Sequence, residues 1–158
     1  MNENDFKEAM ASLAAGVSVV TYRQGDSFGG LTVTSFTSVS MNPPLILFCL
    51  RKGIASDGPL QESGAFAVNM LSAEMEEVSN GFAGREDRTE LVKKTGYATG
   101  VTGSPLLDGC IASLDCRVDK VFDGGDHWII TGRVENAESK PEKQPLLYFR
   151  RGYHGLSG

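Results

Sequence analysis

The stretch that decides the fold spans residues 110–134 and reads CIASLDCRVDKVFDGGDHWIITGRV. From Cys110 to Val118, apolar and polar residues alternate, which is typical of a strand with one buried face. The sequence Asp123-Gly124-Gly125-Asp126 is turn chemistry, and apolar residues return from Trp128 onward. This stretch therefore predicts two long antiparallel strands joined by a tight turn.

Shorter segments outside the hairpin have the same β signal. Further strands are predicted at Val17 to Tyr22, Leu31 to Thr34, Leu45 to Leu50, Phe66 to Leu71 and Leu146 to Phe149. The run from Leu45 to Leu50 is continuously apolar, which predicts a strand buried on both faces. So many strands without regular helical crossovers indicate a mostly β fold, an antiparallel barrel or sandwich, and argue against a doubly wound nucleotide-binding fold.

Helical signals are short. Helices are predicted at Phe6 to Leu13, as a single turn from Ser56 to Gly64, and after the cap residue Ser72. The polar stretch Gly84 to Ser104 is expected to be a surface excursion with one helical turn near Glu90 to Lys94. The sequence thus predicts two or three short helices beside the strands.

Length and composition limit the classes of function. The 158 residues suit one domain, 1–158, and 15 Lys+Arg against 20 Asp+Glu give a net charge of −5. A net acidic chain has no general attraction to nucleic acid or to an anionic membrane, so neither partner is expected. An anionic ligand would have to be held by a few well-placed donors.

Cysteine use and the start of the chain predict a reduced, cytoplasmic protein. Three cysteines cannot all pair, and Asn2 to Lys7 is polar where a signal peptide would be apolar. The longest apolar run, Pro43 to Leu50, is far too short to span a bilayer. Two histidines and no Cys-x-x-Cys pair make a metal site unexpected.

Hydroxyl side chains crowd the stretch from Thr32 to Ser40, and the alternation breaks at Phe36. The break predicts a bend or bulge, which would release backbone amides beside short hydroxyls. Such groups can bind a flat heteroaromatic edge or a phosphate. An ordinary exposed strand face is the alternative, and the spacing alone favours it because threonine is a good β former.

Two further clusters are open to a functional and to an ordinary interpretation. Arg51, Lys52 and Ser56 follow a predicted strand, where they form either a phosphate pocket or a solvated loop with ordinary capping. Asp126-His127 lies at the hairpin mouth, where the imidazole either exchanges a proton near neutral pH or is a surface residue without a task. The dinucleotide fingerprint, the phosphate loop and the nucleophile elbow are absent from the sequence.

Taken together, these segments resemble the short-chain flavin reductase family, the reductase components of two-component flavin-dependent monooxygenases. The resemblance covers nearly the whole chain and depends on the order and spacing of modest motifs. These motifs are the helix from Phe6 to Leu13, Gly16 to Thr21, Leu31 to Ser40, Pro43-Pro44-Leu45, Phe66 to Leu71, Phe82-Ala83-Gly84, Pro105 to Gly109, Gly125-Asp126-His127 and Pro145 to Phe149.

The resemblance implies a split β-barrel that binds FMN or FAD and works as a homodimer. It assigns cofactor binding to the hydroxyl-rich bend, the loop after the buried strand, the Phe-Ala-Gly segment and the Gly-Asp-His motif. The residues so assigned are Thr32, Thr34, Ser35, Ser38, Ser40, Arg51, Lys52, Ser56, Phe82, Ala83, Gly84 and His127. His127 is the expected catalytic residue, near the nicotinamide and the flavin ring.

Two departures from the family pattern limit these assignments. The loop from Arg51 to Ser56 has fewer hydroxyls than is usual, which leaves FMN against FAD open. The glycine at position 152 is shifted, so no role passes to Tyr153.

The function implied is an NAD(P)H:flavin oxidoreductase, in which hydride passes from the nicotinamide C4 to the flavin N5. The electron donor is NADH or NADPH, and the reduced flavin would serve a separate monooxygenase or a free flavin pool. Two alternatives are a flavin-binding protein that stores flavin or carries electrons without NAD(P)H turnover, and a plain β-barrel interaction domain.

Overall fold

A computed structural model describes residues 1–156, so Ser157 and Gly158 of the predicted domain lie outside the described residues. The described chain forms the helices α1 (Glu3–Ala11), α2 (Asp57–Ser63), α3 (Glu76–Ala83) and α4 (Arg88–Thr95). Its strands are β1 (Ala15–Gly16), β2 (Ser18–Gln24), β3 (Ser27–Val33), β4 (Thr37–Met41), β5 (Pro44–Arg51), β6 (Ala65–Met70), β7 (Tyr97–Thr99), β8 (Pro105–Leu107), β9 (Ala112–Asp123), β10 (His127–Ser139), β11 (Leu147–Phe149) and β12 (Gly152–His154). The predicted mostly β, antiparallel fold is confirmed.

Seven strands form the main sheet, in the order β3-β2-β6-β9-β10-β5-β4. Every neighbouring pair is antiparallel. The two edge strands, β3 and β4, follow each other in the chain and are joined only by residues 34–36. The sheet therefore curls into a barrel whose two edges meet at a split. The predicted break at Phe36 is confirmed, and a second irregularity lies between Ser38 and Ser40.

The predicted hairpin is confirmed as β9 and β10, which pair from Trp128 opposite Asp123 to Ser139 opposite Ala112. In the turn, Gly125 has φ +83° and its amide donates to Asp123 Oδ1 at 3.0 Å. A positive φ is the conformation for which glycine has no steric cost, so the local sequence and the turn agree.

Strand burial differs from the prediction in one place. Only alternate residues of β5 are fully buried, namely Ile46, Phe48 and Leu50, so this strand has one core face rather than two. The strands buried on both faces are β2 and β6, because α3, α4 and β8 cover their outer side.

Alternation along β2 divides the core into two clusters. Val20 packs inside the barrel with Phe48, Phe66 and other residues. Its neighbour Val19 packs outward, in a cluster that includes Phe82 from α3. Successive side chains on a strand point to opposite faces, so one strand supplies both clusters.

The helices number four among the described residues, rather than two or three. The polar stretch predicted as a surface excursion contains α4, whose N-cap Asp87 accepts from the Glu90 amide at 2.9 Å. Only Leu91 and Val92 of this helix are buried, which explains its weak apolar signal.

Two other helices differ in detail from their predictions. Helix α2 ends at Gly64 with φ +67°, as predicted, but is longer than a single turn. Helix α3 begins at Glu76 rather than directly after Ser72, because Ser72 bridges to Pro145 and the Ala73 amide donates to Gln144.

The N-terminal helix lies on the surface. Helix α1 buries none of its residues, and Phe6 and Met10 are about half exposed. Within residues 1–156, none of the helices has the length and apolar character needed to cross a membrane.

Candidate functional site

A groove of about 1010 Å³ opens at the split of the barrel, beside the junction between β3 and β4. This volume lies at the upper end of the range for cofactor sites. Its wall is made by β3, the end of β5, the loop into α2, the segment from the end of α3 to α4, and the first residue of β10.

Nine of the twelve predicted site residues line this groove. They are Thr32, Thr34, Ser35, Arg51, Ser56, Phe82, Ala83, Gly84 and His127. Segments more than ninety positions apart in the chain thus meet in one place. Long-range strand pairing brings them together, since His127 lies directly opposite Arg51 in the β10–β5 ladder.

The structure places the other three predicted residues outside the described lining. Ser38 and Ser40 lie on β4 opposite Ile46 and Leu45 of β5. The Lys52 ammonium is directed away, to Asp123 Oδ2 at 2.9 Å and over the Trp128 ring at 4.2 Å.

The hydroxyl-rich bend uses two of its hydroxyls for structure. Ser35 Oγ accepts from the Cys49 amide at 2.9 Å and donates to the Cys49 carbonyl at 3.3 Å. This side chain extends the β4–β5 pairing beyond the start of β4. Thr32 Oγ1 donates to the Ser79 carbonyl at 2.7 Å, which ties β3 to α3. The Thr34 hydroxyl is exposed in the groove.

The Phe-Ala-Gly segment ends α3 and forms one wall. The Phe82 side chain is only 1% exposed and packs against Gly30, where a Cβ would lie 2.7 Å from the ring. Ala83 and Gly84 are exposed beside it. This wall is therefore tightly packed at the Phe82 ring, and the small residues Ala83 and Gly84 leave room for a ligand beside it.

Two arginines of the groove were missed by the sequence analysis. Arg88 is half-buried, and its guanidinium donates to the carbonyls of Gly30 at 2.8 Å and Gly84 at 2.7 Å. It locks the end of α3 onto β3. Arg85 is exposed in the groove and makes no hydrogen bond or ion pair with another described residue. Its position directly after the Phe82-Ala83-Gly84 motif was the available signal.

The groove is basic although the chain is acidic. Three arginines and His127 line it, and no carboxylate is among the described lining residues. The Arg51 guanidinium, like that of Arg85, has no hydrogen-bond partner in residues 1–156. Cations without internal partners in a concave site concentrate the local field and favour an anionic ligand such as a phosphate.

The imidazole of His127 is held by its neighbour. Its Nδ1 lies 2.7 Å from Asp126 Oδ1, and this hydrogen bond lowers the pKa of the Asp126 carboxyl. A carboxylate can only accept, so Nδ1 is the donor and Nε2 is the nitrogen left for a ligand. The Asp126 carbonyl also accepts from the Lys52 amide at 3.0 Å, which fixes the hairpin mouth to the loop after β5.

Tyr153, to which the sequence assigned no role, connects two parts of the fold through its hydroxyl. Its hydroxyl lies 2.7 Å from Ser79 Oγ and donates to Asn80 Oδ1 at 3.0 Å. These bonds hold the C-terminal hairpin against α3.

Within residues 1–156, no three or more His, Cys, Asp and Glu side chains form a group that could hold a metal ion. The cysteines Cys49, Cys110 and Cys116 are free.

Comparison with known proteins identifies the family. The sequence profile of the flavin reductase like domain matches residues 10–157. The chain belongs to the flavin reductase-like family. The resemblance inferred from the motifs is therefore confirmed, and with it the split-barrel fold.

Relatives in this family have named activities. The chain is 37% identical to the FMN reductase (NADH) RutF of Stutzerimonas stutzeri, over 97% of this chain and 88% of that protein. It is 40% identical to the reductase component of 4-hydroxyphenylacetate 3-monooxygenase of Thermus thermophilus, over 96% of this chain and 95% of the relative.

A solved structure in the family has ligands. It is the NADH:FAD oxidoreductase SgcE6 of Streptomyces globisporus in complex with NAD and FAD fragments. It is 30% identical to this chain with a TM-score of 0.91, and the match covers 99% of this chain and 93% of that one.

Proposed function

We propose that the chain is an NAD(P)H:flavin oxidoreductase that binds FMN or FAD in the groove at the barrel split. The observation that carries this proposal is the groove itself. Arginines, small residues and one histidine line it, and no Asp or Glu is among the lining residues that the structure describes. The family relatives named FMN reductase (NADH) and NADH:FAD oxidoreductase support the same reaction.

The residues that line the groove offer groups for both the phosphate and the ring system of a flavin. Arg51 and Arg85 would pair with the phosphate, as would the Ser56 hydroxyl. The exposed hydroxyl of Thr34 and the low wall at Ala83 and Gly84 would lie against the ring system. A bound flavin supplies the ring that accepts a hydride from the nicotinamide.

The chain's own task is alignment and exclusion of water. Hydride transfer between two cofactors needs no strong protein base, and the described lining has none. His127 would orient the nicotinamide through Nε2, because Asp126 occupies Nδ1. Asp126 is a positioning residue in this scheme.

Anaerobic mixing of the purified protein with flavin and NADH or NADPH tests the activity. We expect the yellow flavin to bleach as it is reduced, at a rate that depends on protein concentration. A bound flavin that neither nicotinamide reduces would instead identify a flavin store or carrier. Failure to bind any flavin would favour a plain interaction domain.

We further infer that the protein is a single-domain homodimer. Helix α1 exposes Phe6 and Met10, and β4 exposes Val39 and Met41, the last at 91%. Apolar side chains exposed in this number suit contact with a second copy. Light scattering coupled to size-exclusion chromatography measures the mass, and a flavin-loaded monomer would contradict the inference.

The destination of the reduced flavin is also a proposal. Relatives that are reductase components of monooxygenases support delivery to a separate oxygenase. Three free thiols support a cytoplasmic location, where thiols stay reduced.

A further inference from the structure

The segment between α3 and α4 brings Arg85 to the groove. Residues 83–87 are all exposed, so apolar packing does not fix their position. Exposed segments with few buried contacts are the most mobile parts of a fold. The position of the Arg85 guanidinium therefore depends on the hydrogen bonds that hold this segment.

Arg88, the first residue of α4, makes those hydrogen bonds. Its guanidinium donates to the Gly84 carbonyl at 2.7 Å and to the Glu86 carbonyl at 2.6 Å. Arg85 lies between these two acceptors in the chain, so the backbone is held on both sides of it. The half-buried side chain of Arg88 thus acts as a clamp on the exposed segment.

The guanidinium of Arg88 is itself anchored to the fold. It donates to the Gly30 carbonyl of β3 at 2.8 Å and to the Gly81 carbonyl of α3 at 3.3 Å. Its Cζ lies 5.9 Å from the centre of the Phe82 ring. A guanidinium has five N–H groups in a rigid plane, and the bonds to carbonyls use all but one of them. The segment is therefore tied through Arg88 to the two elements that form this wall of the groove.

We propose that Arg88 is a positioning residue of the flavin site, which acts by holding Arg85 where the flavin phosphate binds. The inference rests on the phosphate site proposed for the groove. A cation that is held in place before binding loses less freedom when the ligand arrives, so it contributes more to affinity than a mobile one. In this scheme Arg88 makes no contact with the phosphate.

The dissociation constant of riboflavin divided by that of FMN isolates the contribution of the phosphate, and we call this quotient the phosphate ratio. Both ligands are titrated into flavin-free protein by calorimetry. We expect Arg88→Ala to lower the phosphate ratio about tenfold, as much as Arg85→Ala does. A ratio that falls in Arg85→Ala but not in Arg88→Ala would overturn the inference and leave the flavin site intact. A wild-type ratio of one would remove the phosphate site itself and the inference with it.

A double variant tests whether Arg88 acts through Arg85. Adding Arg88→Ala to Arg85→Ala should lower the phosphate ratio less than twofold further, because the side chain that Arg88 positions is already absent. Two losses that multiply to about a hundredfold would mean that Arg88 binds the phosphate directly. That result would contradict the positioning role.

Thr89 provides a matched control for the stability of this region. It follows Arg88 in α4 and is also half-buried, and its hydroxyl accepts from the Phe28 amide at 3.0 Å, which ties α4 to β3. Thr89→Val removes this bond but none of the bonds from Arg88. Its urea midpoint should fall, while its phosphate ratio should stay within twofold of the wild type. An equal fall of the ratio in Thr89→Val and Arg88→Ala would contradict a specific role for Arg88.

A variant that keeps the charge covers the case in which Arg88→Ala does not fold. Arg88→Lys retains a cation and an apolar stem but loses the planar fork that reaches several carbonyls at once. We expect the phosphate ratio still to fall, about fivefold. Full retention of the ratio in Arg88→Lys would show that the charge alone is needed, and would overturn the positioning role.

Discussion

The buried network around Asn69 and the groove at the barrel split both contain polar side chains, but in opposite states. Asn69 is fully buried, and its amide donates to the Val19 carbonyl and to Thr21 Oγ1. Its carbonyl oxygen accepts from the Leu107 amide and from Ser113 Oγ. All four bonds of this amide are made within the chain.

The groove shows the opposite arrangement. Arg51 and Arg85 have several donors each and no hydrogen-bond partner in the described chain, and Thr34 is exposed beside them. Polar groups that complete their bonds internally stabilise the fold, whereas polar groups held without partners in a concave site are available to a ligand. The comparison predicts that substitutions in the two regions will change different measurements.

The largest expected effect is on stability at the network. Asn69→Ala leaves buried donors and acceptors without partners, so the free energy of unfolding should fall by about 3 kcal/mol. Urea denaturation followed by circular dichroism measures this change. Asn136→Ala, on an exposed position of β10, is the control and should change it by less than about 0.5 kcal/mol. Equal effects of the two variants would mean that the network is not what stabilises this part of the sheet.

The next effect is on affinity at the groove. Arg51→Ala and Arg85→Ala should each weaken FMN binding about tenfold, because a charge-assisted contact to the phosphate is lost. Their urea midpoints should match that of the wild type. Riboflavin lacks the phosphate, so its affinity should be unaffected, and Arg133→Ala on exposed β10 should bind FMN normally. An equal loss for riboflavin and FMN would remove the phosphate role from these arginines.

An effect of similar size is expected on turnover at the hairpin mouth. His127→Ala should lower kcat/KM for NADH about tenfold while flavin affinity largely survives, since the imidazole orients the nicotinamide. Asp126→Asn should have the same direction and a smaller size, because it only loosens the ring. His154→Ala, the other histidine in the chain, serves as the control. Unchanged rates at limiting NADH in His127→Ala would exclude the role.

The smallest change is a labelling pattern. Burial raises the pKa of Cys110 and of Cys116 to about 12, so both remain protonated thiols at pH 8. Cys49 is half-buried and lines the groove. Alkylation followed by mass spectrometry should modify Cys49 alone, and bound flavin should slow it. Labelling of Cys49 at the same rate with and without flavin would separate the ligand from this wall.

The thiol pKa shifts also set a direction for stability at alkaline pH. The native state holds both protons up to about pH 12, whereas the unfolded chain releases them near the ordinary thiol pKa of about 8.5. Stability from this source is therefore complete below pH 8 and declines as the pH rises toward 12.

Much of the fold was predictable because it depends on local patterns. The alternation from Cys110 to Val118 and the turn at Gly124-Gly125 predicted the β9–β10 hairpin that the structure contains. The break at Phe36 was predictable for the same reason, because the alternation of apolar and polar residues stops there within a stretch rich in hydroxyl side chains. The β5 prediction was wrong because a continuous apolar run does not reveal what covers the second face of a strand.

The site was predictable to a different degree. The family motifs made it possible to predict nine residues that line one groove. Arg85 and Arg88 line the same groove but were not recognised, because they lie in a polar stretch. The distant carbonyl of Gly30 decides what Arg88 does, and no spacing in the sequence refers to it. Lys52 shows the reverse case, because its sequence neighbours suggested a phosphate ligand and its spatial neighbours are Asp123 and Trp128.

By itself, the sequence determined a mostly β chain with its longest hairpin, its bend and its basic loop, because these depend on residues close together in the chain. The tertiary structure alone decided that β3 and β4 form the two edges of one curled sheet and that His127 lies opposite Arg51. Strand order and register are set by contacts between residues far apart in sequence, each stabilised by burial of apolar side chains whose partners no local pattern names.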